Sequence, residues 1–167
     1  DRTVAASMVY CNTVVVGSHQ TGLQGITISP EGDGFKAEPV WKNIEAQPNI
    51  THGVRVGGHY YGIGDPAKLV CVDISSGKTT WSDNSLFFPD PKRAMAAFIV
   101  MGKNILTLTS GGELCLFEAS ATEFNELGRT QVCGINWCLP AYVDGRLFVR
   151  DGIKKKGGNL ICLDLTN

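Results

Sequence analysis

Charge is scarce in this chain and nearly balanced. Only 19% of its 167 residues are Asp, Glu, Lys or Arg, and the net charge is −1. A phosphate-binding face wants a clear basic excess, so the composition argues against nucleic acid as a partner. The one charge run, Lys154-Lys155-Lys156, reads as a solvated loop tip. Long apolar runs are missing as well: no window approaches the ~20 residues that a membrane-spanning helix needs. No amphipathic helix stands out, and no signal peptide is visible ahead of a first residue, Asp1, that is not Met. The usual catalytic signatures are absent too. There is no G-x-S-x-G elbow, no Walker loop, no H-E-x-x-H and no D-x-[DN]-x-[DN]-G calcium loop. Gly17, Gly22 and Gly25 look glycine-rich, but no helix follows to offer its N-terminus to a phosphate, so they read as turn glycines.

What the chain does have is repetition. A short strand, a tight turn and a second strand recur in MVYCNTVVVG, VRVGGHYYG, FIVMGKNILTL and AYVDGRLFV. The turns are read at Cys11-Asn12, Gly57-Gly58, Met101-Gly102 and Asp144-Gly145. Their second residues are 46, 44 and 43 positions apart. A period in the forties built from short strands marks a β-propeller blade, which holds four strands in roughly 40–50 residues. The pattern predicts an all-β fold of about four four-stranded antiparallel blades, over approximately 6–45, 51–85, 94–132 and 137–167, the last without its outer strand. Residues 1–5 are a candidate orphan strand. No linker or low-complexity segment divides the chain, so 1–167 is read as one propeller domain or a fragment of one.

The strands of each repeat are named a to d in chain order. In the second repeat, Asp65-Pro66 separates b from c, and Ser75-Ser76-Gly77-Lys78 turns c into d, with Gly77 free to take a positive φ. Trp41 and Trp81 close the first two units at strand d, 40 residues apart. Cys71, Cys115 and Cys162 are read at one repeat position, in LVCVD, ELCLF and LICLD. Matching positions in different blades lie too far apart for a disulfide, so these are expected to pack as small hydrophobes. Cys133 and Cys138 flank Gly-Ile-Asn-Trp and are placed to meet across a loop, with bonded and free states both open. C-x₄-C with no second pair is a poor zinc signal.

Val72-Asp73-Ile74-Ser75-Ser76-Gly77-Lys78-Thr79-Thr80-Trp81 resembles the repeat motif of pyrroloquinoline-quinone-type (PQQ-like) propellers, roughly ALDAKTGKxxW, and the fourth repeat, ending in LICLDL, looks like a terminal repeat of the same BamB-like family. The resemblance implies that Gly77 makes the c–d turn and that Trp41 and Trp81 dock on neighbouring blades, with Asp73 and Asp164 marking the motif. It also implies rings of seven or eight blades. This chain supplies four, so it is expected to self-associate through open blade edges or to be the C-terminal half of a longer protein; four-bladed closure is the alternative. The third repeat departs from the motif, with Phe117-Glu118 where Asp is expected and no Trp at strand d.

Quinone-dependent dehydrogenases of this family carry vicinal cysteines, calcium ligands and an Asp base. No Cys-Cys pair exists here, which argues against bound PQQ or Ca²⁺ and against catalysis. If strand a runs from top to bottom, the b–c and d–a loops share an upper face. That face gathers His19 and Gln20, Asn49, His52, Asp65, Arg93, Asn136, Trp137 and Asp151. His52, Arg93 and Asn136 are read as one place repeated at successive blade entrances. Loops on a rigid scaffold are where binding concentrates. The first expectation is a non-catalytic scaffold that binds a protein or an extended polypeptide there. A quinoprotein-like alcohol or sugar dehydrogenase module is the alternative. A carbohydrate binder using Trp137, Phe87 and Phe88 as platforms is a third. His19 and His52 on one face make a metal site conceivable, but no carboxylate is spaced to join them. The resemblance implies the periplasm, cell envelope or exterior, although free cysteines fit an oxidising space poorly.

Overall fold

The computed structural model describes residues 7–48, 51–64, 66–87, 95–152 and 157–166. Blade 1 comprises β1 (Met8–Tyr10), β2 (Thr13–Ser18), β3 (Gly22–Glu31) and β4 (Gly34–Asn43). Blade 2 comprises β5 (Val54–Val56), β6 (His59–Gly64), β7 (Lys68–Asp73) and β8 (Thr79–Asp83). Blade 3 comprises β9 (Ala96–Met101), β10 (Asn104–Thr109), β11 (Glu113–Glu118) and β12 (Asn125–Gln131). Blade 4 has three strands among the described residues, β13 (Ala141–Val143), β14 (Arg146–Arg150) and β15 (Leu160–Asp164). Every pairing is antiparallel and sequential, which makes each blade a meander.

The first hairpin of each blade closes through a two-residue loop whose first residue has positive φ: Cys11 at 54°, Gly57 at 57°, Gly102 at 65° and Asp144 at 47°. Such loops match the right-handed twist of the strands they join. The third loop is therefore Gly102-Lys103, one residue later than the Met101-Gly102 reading, because Met101 pairs with Asn104 and still belongs to β9. A repeated hydrogen bond confirms the alignment. The residue that follows the third strand's Asp-like position donates its N–H to the second loop residue in all four blades: Ile28 to Asn12, Ile74 to Gly58, Ala119 to Lys103 and Leu165 to Gly145, at 2.7–2.9 Å.

With that register, Cys71 and Cys162 align with Gly25 and Leu116, each opposite the third residue of its second strand. Cys115 does not share their position; it is one residue earlier. Because strand side chains alternate, the slip sends Cys115 to the opposite face. Cys71 points from blade 2 toward blade 3 and Cys115 from blade 3 toward blade 2, so both are fully buried in one core with Tyr61, Leu69, Trp81, Ile105 and Phe117. Burial pushes the Cys115 thiol up to about 12 and raises that of Cys71, so both pack as neutral thiols. Conversely, Glu118 does occupy the motif's Asp position: it pairs with Asn104 as Asp73 pairs with His59.

Three cores hold the blades together. Val15, Leu23, Tyr60, Val70, Val72 and Ile74 fill the junction of blades 1 and 2. The Cys71–Cys115 core fills the next. Leu106, Leu108, Leu114, Leu147 and Val149 fill the junction of blades 3 and 4. Among the described residues no core joins blade 4 to blade 1, so the stack is an open part-ring. In blade 1 the c–d hairpin runs on through Glu31 and back from Gly34, because Gly32-Asp33 makes a tight turn with Gly32 at φ 57°. The extension overhangs into solvent, with Phe35 79% exposed.

Candidate functional site

The connector between blades 3 and 4 is held in place by backbone bonds before it offers any side chain. Val132 N–H donates to the Gly112 carbonyl (2.9 Å), Asn136 N–H to the Ser110 carbonyl (3.0 Å) and Gly152 N–H to the Ile135 carbonyl (2.8 Å). Gln131 Nε2 donates to the carbonyls of Gly111 and Cys133 at 2.8 and 2.6 Å. Gly112 permits the close approach: it sits at φ 88°, and any Cβ there would strike the Cys133 carbonyl. Asn136 is buried, and its Nδ2 donates to the Thr109 carbonyl (3.0 Å) and toward Cys133 Sγ (3.5 Å). Its amide hydrogens therefore serve the scaffold, and the next residue, Trp137, is pushed outward to 61% exposure.

Trp137 stands on a cleft of about 320 Å³. Met95, Ala96, Ala97, Leu108 and Leu139 give it an apolar lining, while Thr51, Ser110 and Asn136 add polar groups and Cys138 completes it. These residues come from the approaches to the innermost strands of blades 2 to 4, the start of β9, the end of β10 and the b–c turn of blade 3, which the upper-face argument groups together. Ala96-Ala97 matters by its smallness, since larger residues at the start of β9 would fill the space. Arg150 Nη1 lies 3.7 Å from Cys138 Sγ. Among the described residues the lining holds no carboxylate, histidine or lysine, so its chemistry is that of an apolar receptor with a few hydrogen-bonding groups.

The structure brings Asn136 and Trp137 into this cleft, and His52 adjoins its Thr51. His52 lies five residues before Gly57 and Asn136 eight before Asp144, so the two are not one repeated position. His19, in the blade 1 b–c turn, has a buried Nδ1 without a hydrogen-bond partner among the described residues, and it does not line the cleft. Asp151 caps its own loop, accepting from Asn159 N–H at 2.6 Å, and these bonds hold its carboxyl below the ordinary range. Asn49, Asp65, Arg93 and Phe88 lie outside the described residues. Phe87 is buried in the core between blades 2 and 3, so it offers no platform for a sugar. Cys133 and Cys138 are free thiols. Among the described residues no group of three or more His, Cys, Asp or Glu is placed to hold a metal ion. Met95, Leu108 and Leu139 escaped the sequence reading, because nothing in one dimension marks an apolar residue in or just before a strand as cleft lining: Leu108 lies in β10, and Met95 and Leu139 shortly precede β9 and β13.

The repeat motif proves architectural. Trp41 Nε1 donates to the Ile74 carbonyl of blade 2 (2.8 Å), with its ring over Gly77, where a Cβ would come within 2.5 Å. Trp81 Nε1 donates to the Ser120 carbonyl of blade 3 (2.9 Å). Asp73 Oδ1 accepts from Ser75 Oγ, Ser76 N–H and Ser76 Oγ at 2.6–2.7 Å, and Asp164 Oδ1 accepts from Thr166 in the same way. Asn43, at the upper end of β4, donates to the Gly77 carbonyl in the c–d turn of blade 2 (2.8 Å). Sorting loops into two faces therefore holds near the inner strands and fails at the rim, where accumulated sheet twist swings the outer strand toward its neighbour.

No family model matches the chain, and the curated proteins gave no match. Among solved structures the chain is similar to BamB from Moraxella catarrhalis (TM-score 0.67, 15% identity), covering 99% of this chain and 48% of that one. It is similar to apo AztD from Citrobacter koseri (TM-score 0.61, 19% identity), covering 98% and 44% respectively. It also resembles the quinohemoprotein alcohol dehydrogenase ADHIIG from Pseudomonas putida HK5 (TM-score 0.52, 15% identity), covering 75% and 20%. The chain thus spans less than half the length of each of these proteins. At such identities the likeness speaks for architecture alone, and the chain has the β-propeller fold, as an open stack of blades.

Proposed function

We propose that this chain is a non-catalytic β-propeller scaffold that binds a protein partner through its upper loops, with the Trp137 cleft taking an apolar side chain of an extended segment. The observation that carries the reading is the exposure of Trp137 beside an apolar cleft whose walls are fixed by backbone hydrogen bonds. An exposed aromatic over a preformed pocket is the usual anchor of a protein interface. The volume suits one or two large side chains, and the uncharged lining favours apolar ones. The reading places the chain in the periplasm, cell envelope or exterior, following the family resemblance, and assigns it neither PQQ nor Ca²⁺.

The test is a fluorescence titration with a permanently unfolded, apolar-rich polypeptide, such as a reduced and carboxymethylated small protein. Binding is expected to quench Trp137, and Trp137→Ala is expected to weaken it at least tenfold. Because the side chain is largely exposed, that substitution should shift stability by less than about 0.5 kcal/mol. Titration with PQQ and Ca²⁺ serves as the contrast. A new absorbance band and dye reduction with an alcohol would replace this reading with the dehydrogenase one.

A further inference from the structure

Tyr60 is 2% exposed at the junction of blades 1 and 2, and its hydroxyl has no hydrogen-bond partner among the described residues. A buried hydroxyl normally has one, because burial strips away the bonds that water made with the unfolded chain. The sequence shapes the place where this one sits. Gly53 and Gly62 flank the ring, and a Cβ at either would strike the hydroxyl. Gly53 is also a wall of a small cavity, together with Met8, Val15, Gly17, Leu23 and Pro48, so the hydroxyl end of the ring meets that cavity. Burial holds the hydroxyl's pKa above its ordinary value, so it keeps a proton to donate. In this lining only Tyr60 carries a side-chain oxygen or nitrogen, and the other walls offer main-chain groups alone.

Size decides what the cavity takes. Its volume is about 10 Å³, which is the threshold for a single water and too small for anything larger. The connector from blade 1 to blade 2 shows what such a water would do. Its first half is tied down: Asn43 Oδ1 accepts from the N–H groups of Glu45 (2.9 Å) and Ala46 (3.0 Å), and Gln47 N–H donates to the Ile63 carbonyl (3.0 Å). Pro48 follows, with no N–H to continue the series. We propose that one ordered water occupies this cavity, accepting the Tyr60 hydroxyl proton and donating to main-chain carbonyls of the walls, so that it ties Pro48 and Gly53 to blade 2. A bridging water of this kind is nearly as good as a direct bond. Thr51, between those two residues, lines the Trp137 cleft, so Tyr60 is a positioning residue behind one wall of that cleft. The water site exists whether or not the cleft binds a polypeptide, and the two readings stand or fall separately.

The experiment combines a high-resolution crystal structure of the full chain with melting and amide exchange of Tyr60→Phe. The structure is expected to show a water about 2.5–3.0 Å from Tyr60 Oη, and Y60F to lack it. Tyr61→Phe sets the scale, because the Tyr61 hydroxyl donates directly to the Ser120 carbonyl at 3.1 Å. Y60F should lower the melting temperature by about 2–4 °C, comparably to Y61F. It should also speed amide exchange at Gly53 and Val54 by about threefold or more, which Y61F should not do. A dry hydroxyl gives the opposite sign, since deleting an unpaired buried group is neutral or stabilising. A cavity without density, a Y60F melting temperature at or above that of the parent, or unchanged exchange at Gly53 and Val54 would each overturn the proposal.

Discussion

Blade 2 buries Tyr60, Val70 and Val72 against blade 1 and Tyr61, Leu69 and Cys71 against blade 3, whereas among the described residues blade 4 buries Leu147 and Val149 against blade 3 alone. The two blades share strand order, loop chemistry and the Asp-capped end of the third strand. They differ in what crosses between blades. Blade 2 receives Trp41 on its c–d turn and sends Trp81 to the turn of blade 3. Toward blade 4, the position equivalent to those tryptophans is Gly128, whose missing Cβ would have nothing within 4 Å. Local sequence chemistry therefore makes a blade, and the indole tie that crosses from blade 1 to blade 2 and from blade 2 to blade 3 is missing between blades 3 and 4.

The severest break in that comparison is Trp81→Ala. Trp81 is 9% exposed and sits 6.1 Å from the ring centroids of both Tyr61 and Phe124. Its loss leaves a cavity and removes one of the two donors to the Ser120 carbonyl, which keeps the Tyr61 hydroxyl at 3.1 Å, so chemical denaturation should show a loss of about 3–5 kcal/mol. Gly77→Ala comes next. It forces a side chain into φ 71° and into the Trp41 ring, for a cost of about 2 kcal/mol in the same assay. Gly128→Trp runs the other way. It restores the absent indole, and a gain of about 1 kcal/mol is expected, with slower amide exchange across β13 to β15 as the specific sign that blade 4 has been fastened.

Acid gives the smallest effect. The hydroxyls of Ser75 and Ser76 hold the Asp73 carboxyl below its usual range, and Arg129 does the same to Glu126. A depressed carboxyl stabilises the fold above its unfolded pKa and loses that contribution as pH falls through the folded value. The melting temperature should therefore hold steady from neutral pH to about pH 4 and decline below it. Asp73→Asn, which keeps an acceptor but no charge, should flatten that decline. Asp164, with its single Thr166 partner, should contribute less.

Much of the fold was legible because its determinants are local. Asp144-Gly145 and Gly57-Gly58 announce two-residue hairpins, and Gly77 announces the c–d turn. Met101-Gly102 misled by one place, since a Gly is tolerated at either loop position and only the pairing of Met101 with Asn104 fixes which. The same single-residue ambiguity put Cys115 on the wrong face. The candidate site was half legible. Asn136 and Trp137 stood out as polar and aromatic residues in a connector, but Asn136 turned inward to cap the backbone and Met95, Leu108 and Leu139 gave no sign of lining a cleft.

By itself the sequence determined the blades, because period-two alternation, glycine at positive φ and Asp-capped turns act within a few residues. The tertiary structure alone decided which way each strand face points, where Trp41 and Trp81 dock, and that residues from Thr51 to Leu139 share one cleft. Those outcomes join groups tens of residues apart, and they depend on the twist and packing of whole sheets, which no local pattern encodes.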